Sequence, residues 1–290
     1  MTSTTAAADH AACAAALRAA GSSFALPIRL LPPAKRQGTT ALYAFCRRAD
    51  DIVDDAPDPD TARQGLDAFE AAACRALAGD RVADPVLRAV ADTTRRFAVP
   101  PRCLTDILDG VRMDLEQTTY ATRAALDGYC RRVASAVGVA AIHIWGFVDP
   151  RAVDLSDDCG LAFQYTNILR DIPEDLGRGR IYLPAEDLAA CGCTADDLRA
   201  GRIHAGFESL ARRLVSVAET RFRRAAALDR MLTTDGRLAF RAMFGVYHAL
   251  LSGVRRAGPA IFVRRVKPAK PRLLAAAAAA VVLGTARSRL

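Results

Sequence analysis

The sequence predicts an all-α fold. Apolar residues recur at three- and four-residue spacing through long windows of the 290-residue chain, which is the pattern of the buried face of a helix. We find no segment in which apolar and polar residues alternate between turn signals, as they do in a half-buried strand. Hydrophobic residues make up 51% of the chain, so a sizeable core can be buried.

Proline and glycine joints divide the chain into successive helices. The first prolines, Leu26-Pro27 and Leu31-Pro32-Pro33, precede the first long helix. Later joints, such as Val99-Pro100-Pro101 and Asp149-Pro150, are too short to be linkers, and this indicates one helical domain. Helices are predicted at about residues 34–55, 61–79, 84–97, 101–115, 123–147, 151–176, 207–230 and 235–257.

The two ends of the chain differ in composition from the predicted helical domain between them. Residues 1–20 are rich in Ala and Thr and are expected to fray, residues 21–275 form the predicted domain, and residues 276–290 form an Ala-rich basic tail. The longest apolar run, Leu273 to Gly284, is well short of the roughly 20 residues that span a bilayer. It is predicted to be a terminal helix or an interfacial segment.

The formal charge of +8 comes from the C-terminal part of the chain. Nine of the 40 basic residues follow Gly253 with no acid among them, and the rest of the chain is almost neutral. Such a segment could meet a membrane surface, contact a substrate diphosphate or bind nucleic acid through its phosphates. It could also be a solvated basic face.

A first acidic cluster ends the helix predicted at 34–55. On a helix Asp50 stacks one turn from Asp54, and Asp51 one turn from Asp55. Like charges at this spacing repel, and acids at a helix C-terminus also oppose the helix dipole. A bound cation would relieve both costs.

A second acidic cluster lies on the helix predicted at 151–176. Asn167, Asp171 and Asp175 fall at four-residue intervals and form a polar stripe, with Gln164 one turn earlier. Oxygen ligands of this kind suit Mg²⁺, which also keeps waters and substrate phosphate oxygens. Either cluster alone is typical of a solvated helix end, whereas two with the same spacing favour a metal-bridged diphosphate site.

Pro173 lies between the two acids of the second cluster. Proline removes a helical hydrogen bond and pushes the preceding residue away from helical geometry. A kink or a helix end there would shift Asp175 relative to Asp171.

Three segments together resemble the squalene/phytoene synthase family. They are the run from Tyr43 to Asp55, the stretch Tyr129-Cys-Arg-Arg-Val-Ala-Ser-Ala-Val-Gly138, and the run from Gln164 to Pro184. The likeness extends from about Ser22 to Leu274, nearly the whole chain. It implies the single-domain isoprenoid-synthase helical bundle, in which two acidic motifs face each other across a central cavity.

The resemblance also implies roles for individual residues. Asp50, Asp54, Asp171 and Asp175 match the family's metal-binding aspartates, with Mg²⁺ as the expected ion and Mn²⁺ as the alternative. The matches to catalytic positions are Tyr43, Arg47, Tyr129, Arg170 and Tyr247. The matches to substrate-binding positions are Ser23, Phe24, Gln164, Asn167 and, from the C-terminal part, Arg264 or Arg265.

The stretch of small residues from Ala134 to Ala141 has two readings. In this reaction class an allylic cation must be kept from water, so an apolar cavity wall of small side chains is expected. Small side chains also let helices pack closely. Both readings can hold for one segment.

The resemblance implies head-to-head condensation of two farnesyl diphosphates to presqualene diphosphate, as in bacterial squalene and hopanoid biosynthesis. The alternative within the family is condensation of two geranylgeranyl diphosphates to phytoene, as in carotenoid biosynthesis. NADPH is not expected. The alternative from another class is a non-catalytic helical protein that binds a membrane surface or nucleic acid through its basic tail.

Expected partners follow from the leading hypothesis. They are prenyl diphosphate substrates and enzymes that act downstream on the product. Nucleic acid is not an expected partner. The expected location is the cytoplasm, with peripheral contact at the inner face of the membrane because substrates and products this apolar partition into lipid.

Overall fold

The structure, a computed structural model, is 78% helical. It describes residues 3–22, 24–267 and 269–285, with side chains described from residue 6 onward. These residues contain no β-strand, and only isolated bridges join Thr119 to Ile181 and Phe147 to Leu232. The prediction of an all-α fold is confirmed.

Fourteen α-helices follow one another along the described chain, and most agree with the predicted ranges within a few residues. They are α1 Ser3–Ala19, α2 Ala25–Arg29, α3 Pro33–Asp54, α4 Pro59–Ala78, α5 Pro85–Arg96, α6 Arg102–Glu116, α7 Arg123–Cys130, α8 Ala136–Trp145, α9 Ala152–Gly177, α10 Ala185–Ala190, α11 Ala195–Arg199, α12 Ala205–Ala225, α13 Thr234–Ala257 and α14 Lys270–Leu283. A π turn, Arg131–Ser135, joins α7 to α8, and 3₁₀ turns, Ala226–Arg230 and Gly258–Phe262, follow α12 and α13.

Helix α9 lies at the centre of the packing. It contacts α8, α12, α13 and the π turn, while α3 packs against α1, α4, α5 and α8. Gly160 of α9 meets the π turn so closely that a Cβ atom there would lie 2.5 Å from Ser135 Cα. The acidic clusters stand at the C-terminal ends of α3 and α9, so the packing of these two helices determines how the clusters face each other.

A buried ionic cluster ties α9 to α7 and α12. The Arg221 guanidinium lies 2.9 Å from carboxylate oxygens of both Asp127 and Asp158. Tyr165 also donates a hydrogen bond of 2.7 Å to Asp127. Each buried acid therefore has charged or polar partners, as buried charges require.

The N-terminal segment corrects a prediction. Residues 1–20 were expected to fray, but residues 3–19 form α1, which packs against α3 and α5. Asp9 is almost fully buried and accepts a hydrogen bond of 3.0 Å from Arg88 Nε. Cys13 is fully buried in a small cluster with Ala41, Ala44 and Ala89. Packing between such small side chains leaves little amphipathic signal in the sequence, so the composition was misleading.

Pro173 does not end α9. The helix continues through this residue to Gly177. Asp171 and Asp175 therefore remain on one helix, one turn apart. The second acidic stripe is preserved.

The apolar run near the C-terminus forms α14, which packs along α13. The two helices approach closely at Gly245, where a Cβ atom would lie 2.5 Å from the Ala276 carbonyl oxygen. None of the described helices combines the length and apolar character needed to cross a membrane.

Candidate active site

A cavity of about 640 Å³ lies between α3, α8, α9 and α13. Its apolar lining includes Leu42, Ile142, Trp145, Phe163, Leu228, Phe240 and Met243. Val133, Ala134, Val137, Gly138 and Ala141 form another part of the wall. The prediction that this small-residue stretch lines a cavity is confirmed. The alternative reading holds as well, since a Cβ atom at Gly138 would lie only 2.9 Å from Ser156 Oγ.

A polar recess of about 290 Å³ adjoins this cavity where α3 and α9 end. All four predicted metal-binding aspartates line the recess, Asp50 and Asp54 from α3 and Asp171 and Asp175 from α9. The residues that line both spaces are Arg47, Asp50, Asp114, Tyr129, Gln164 and Asn167. An acidic recess thus opens directly into an apolar cavity.

In the first acidic cluster, Arg47 and Asp51 form an ion pair of 2.6 Å along one face of α3. Asp50 points into the recess and has no ion-pair partner among the described residues. The Asp50 carboxyl is accessible from the cavity, but protein surrounds it on its other sides. The loss of hydration raises its pKa to about 7, and the negative charges of Asp54 and Asp114 add to the shift.

In the second acidic cluster, Asp171 is held by two arginines. Arg170 Nε lies 2.9 Å and Arg265 Nε 2.7 Å from its Oδ1 atom. Asp175, one turn later, has no ion-pair partner among the described residues, and burial together with the charge of Asp171 raises its pKa to about 7. Each acidic helix therefore contributes to the recess one carboxylate that forms no direct ion pair with the described residues.

The loop after α9 joins the two clusters. Arg178 Nη1 lies 3.3 Å from Asp54 Oδ2, and Arg180 Nη1 lies 4.0 Å from Asp54 Oδ1. The loop is anchored where the Ile181 amide donates a 2.7 Å hydrogen bond to the Thr118 carbonyl oxygen. Neither arginine was among the predicted site residues, although both lie in the Gln164–Pro184 run that carried the family resemblance.

Asp114 on α6 is a fifth acid in the recess, and the sequence did not single it out. It accepts hydrogen bonds from Tyr182 at 2.7 Å and from Tyr129 at 3.2 Å. Burial raises the pKa of Asp114, whereas these hydroxyls and the charge of Arg180 oppose the shift. Asp114 looks like an ordinary polar residue of an amphipathic helix, so no sequence pattern marks it.

Tyr247 on α13 faces the second cluster. Its ring stacks on Phe163 with centroids 4.0 Å apart and lies 5.8 Å from the ring of Phe24. Burial raises the pKa of Tyr247, while the charge of Arg170 and the nearby Asn167 amide oppose the shift. The hydroxyl therefore stays protonated and close to the polar stripe of α9.

The structure brings most of the predicted site residues together. Those that line the cavity or the recess are Phe24, Tyr43, Arg47, Asp50, Asp54, Tyr129, Gln164, Asn167, Arg170, Asp171, Asp175, Tyr247 and Arg265. Arg264 is exposed and is not part of either lining, so Arg265 is the member of that pair at the site. Ser23 lies outside the described residues.

The donor set suits a hard divalent cation. Among the described residues, Asp50 and Asp175 form no ion pair, and the buried Asn167 Oδ1 has no hydrogen-bond partner. Within residues 3–22, 24–267 and 269–285, no three His, Cys, Asp or Glu side chains converge as a complete metal site. Mg²⁺ commonly takes one or two carboxylates and completes its shell with waters and substrate phosphates. The residues therefore fit an ion held jointly by the protein and a diphosphate.

The fold is that of the helical isoprenoid synthases. A solved dehydrosqualene synthase, crystallised with a ligand, matches with a TM-score of 0.83 and 29% sequence identity over 94% of this chain and 95% of that one. The family model described as squalene/phytoene synthase matches residues 17–272. The chain belongs to the squalene/phytoene synthase family, whose members are head-to-head prenyltransferases that use divalent metal ions to bind prenyl diphosphates.

Relatives within this family carry two different names. A presqualene diphosphate synthase from Rhodopseudomonas palustris is 36% identical over 236 residues, which cover 79% of this chain and 82% of the relative. A phytoene synthase from Pseudescherichia vulneris is 34% identical over 256 residues, which cover 86% of this chain and 83% of the relative. The family resemblance seen in the sequence is confirmed.

Proposed function

We propose that this protein condenses two farnesyl diphosphates head to head into presqualene diphosphate, with release of one diphosphate and a proton. The observation that supports this most directly is that Asp50 and Asp175, which form no ion pair with the described residues, line one recess that opens into an apolar cavity. This arrangement suits a substrate with a multiply charged head and a long hydrocarbon tail. The similarity to a presqualene diphosphate synthase supports farnesyl chains.

The side chains around the recess would bind and orient the diphosphate head. Asp50, Asp54, Asp171, Asp175 and Asn167 would hold Mg²⁺, which withdraws charge from the leaving diphosphate. Arg47, Arg178 and Arg180 line the same recess and supply preorganised positive charge where the leaving group becomes more negative. The carbon–oxygen bond then breaks, and the electron pair leaves with the diphosphate.

The apolar cavity protects the allylic cation that remains. The double bond of the second farnesyl chain attacks this cation, a carbon–carbon bond forms, and loss of a proton closes the cyclopropane ring. Phe163 and Tyr247 stack on each other, and both line the cavity together with Arg170. Aromatic faces attract cations, so these two rings would stabilise positive charge without reacting with it.

A second candidate function is condensation of two geranylgeranyl diphosphates to phytoene. The relatives named phytoene synthase favour it, including the one from Pseudescherichia vulneris. The two candidates use the same acidic recess and differ in the length of hydrocarbon that the cavity accepts.

The test is product analysis with each substrate. Purified protein with Mg²⁺ would be given farnesyl or geranylgeranyl diphosphate, with and without NADPH, and the products identified by mass spectrometry. A C30 cyclopropyl diphosphate, formed equally with and without NADPH, supports the proposal, whereas a C40 hydrocarbon formed in preference assigns phytoene synthesis. Turnover of neither substrate contradicts both candidates.

Variants connect the activity to the recess. Asp50→Asn and Asp175→Asn should each lower kcat at least about 100-fold, since each removes a charge from the proposed metal site. Asp196→Asn is the matched control because this carboxyl is 82% exposed on α11, outside both linings. Equal activity in all three variants would contradict the assignment of the recess.

A further inference from the structure

Helix α14 has two apolar faces, and α13 covers only one of them. The inner face includes the buried Ala277 and Ala280, which pack against α13 around Gly245. The outer face carries Leu274, Val282 and Leu283, which are 52%, 78% and 53% exposed. Ala275, Ala278 and Ala279 are also exposed and lie between them. A helix of a monomer in water usually presents polar residues on its outer face, so this apolar face is a candidate docking surface.

The charges next to this face identify the kind of partner. Lys267, Lys270 and Arg272 are exposed at the start of α14, and the described residues provide no ion pair for them. The first turn of α14 contains no acid, although a helix N-terminus favours acids over bases. No acidic residue follows Asp235 in the chain. An external anionic surface would relieve this concentration of positive charge.

We propose that the outer face of α14 docks on an anionic lipid bilayer. Helices that lie in a membrane interface combine an apolar face with nearby Lys and Arg residues, and both features occur here. A helix of this length is about 21 Å long and about 10 Å wide, so its outer face covers only roughly 200 Å². A stable dimer needs about 800 Å² from each partner, which argues against a second copy of this chain.

The docking face lies close to the cavity. On α13, Gly245 faces α14, whereas Tyr247 and Met243 line the cavity. The segment that leads into α14 begins beside the site, because Arg265 pairs with Asp171 there. Docking would therefore place the cavity about one helix diameter from the lipid phase. The proposal does not depend on the proposed function, since lipid binding can be measured without substrate.

The experiment is flotation of the full chain with vesicles of phosphatidylcholine alone or with about one third phosphatidylglycerol. We expect binding to the anionic vesicles and little to the neutral ones. A charge variant, K267Q/K270Q/R272Q, and an apolar variant, L274Q/V282Q/L283Q, should each bind at least about tenfold more weakly. The matched control, R63Q/R95Q/R199Q, removes as many exposed charges from α4, α5 and α11 and should bind like wild type.

Thermal unfolding of every variant checks that the fold is retained. Equal loss of binding in the control would overturn the proposal, because any reduction in net charge would then suffice. Absence of vesicle binding by the wild type would overturn it as well. Light scattering after gel filtration tests whether a second copy of this chain covers the face instead. A dimer that only the apolar variant disrupts would assign the face to that second copy and overturn the proposal.

Discussion

Arg178 Nη1 lies 3.3 Å from Asp54 Oδ2, so the loop that follows the second acidic helix reaches the end of the first. The pair joins residues 124 positions apart. Both side chains are partly exposed, and surface ion pairs of this kind contribute little to stability. The pairing is better explained by function, because it holds a guanidinium at the proposed diphosphate site.

The first prediction concerns this guanidinium. Arg178→Gln should raise KM for the prenyl diphosphate about tenfold or more, since a hydrogen bond to a charged group contributes about 1.5–3 kcal/mol. The melting temperature should hardly change. Arg199→Gln, at an exposed arginine of α11, is the control in steady-state kinetics and thermal unfolding. A destabilised variant with an unchanged KM would show that the pair is structural.

The second prediction concerns the pH dependence of stability without metal. Folding raises the pKa of Asp50 from 3.8 to about 7, so the folded state binds more protons than the unfolded state between these values. The contribution of Asp50 is therefore most favourable below pH 3.8 and is lost as pH rises through 7. Asp50→Asn mimics the protonated carboxyl and should become more stable than wild type over this range.

Thermal unfolding in EDTA from pH 5 to 8.5 measures this difference. We expect Asp50→Asn to melt a few degrees higher than wild type at pH 8 and to lose this advantage toward pH 5. Asp196→Asn, which alters an exposed carboxyl, should show no such trend. A constant difference between Asp50→Asn and wild type at every pH would contradict the prediction.

The third prediction concerns the carboxylate behind Tyr129. Asp114→Asn replaces an acceptor of two hydroxyls with a group that must also donate, so Tyr129 and Tyr182 should lose their fixed orientation. We expect kcat to fall about 10- to 100-fold with a smaller change in KM, as for a residue that positions others. A rise in KM with kcat unchanged would instead indicate that Asp114 contributes to substrate binding.

Tyr120 provides the matched control for this network. Its ring lies against those of Tyr129 and Tyr182, but its buried hydroxyl has no hydrogen-bond partner among the described residues. Tyr120→Phe should therefore leave kcat unchanged and leave stability unchanged or slightly higher. Tyr182→Phe removes a hydroxyl that Asp114 does accept, and it should lower kcat.

The fourth prediction concerns stability alone. Arg221→Ala leaves the buried Asp127 and Asp158 without their shared guanidinium, although Arg224 still contacts Asp158. Breaking a buried ionic group in this way costs about 3–5 kcal/mol. Denaturant unfolding should show this loss. Arg223 is an exposed neighbour whose side chain donates a hydrogen bond to Thr220 and forms no ion pair with the described residues. Arg223→Ala should change the free energy of unfolding by less than about 0.5 kcal/mol.

The parts of the site that could be predicted are those encoded locally. Four-residue spacing places Asp50 over Asp54 and Asp171 over Asp175, and the structure retains both stripes. The segment from Ala134 to Ala141 could also be predicted to form a cavity wall, because its side chains are small. Local periodicity shows which side chains share a face of one helix.

The parts that could not be predicted depend on contacts between distant segments. Asp114 enters the recess only because α6 packs beside the π turn, and its own helix shows a normal amphipathic pattern. Arg178 and Arg180 reach the first acidic cluster from an irregular segment that carries no periodicity. The continuation of α9 past Pro173 shows that tertiary packing can outweigh the local preference of proline.

The π turn Arg131–Ser135 determines which side of α8 faces the cavity. A π turn amounts to one residue inserted into an α-helix, so it rotates everything after it by about 100° relative to a continuous helix. With this rotation, Tyr129 before the turn and Val137 and Ala141 after it all line the same cavity. A single-residue deletion here would restore a regular helix and turn α8 so that other side chains met the substrate. The chemistry of the pocket is therefore sensitive to the length of this segment as well as to its composition.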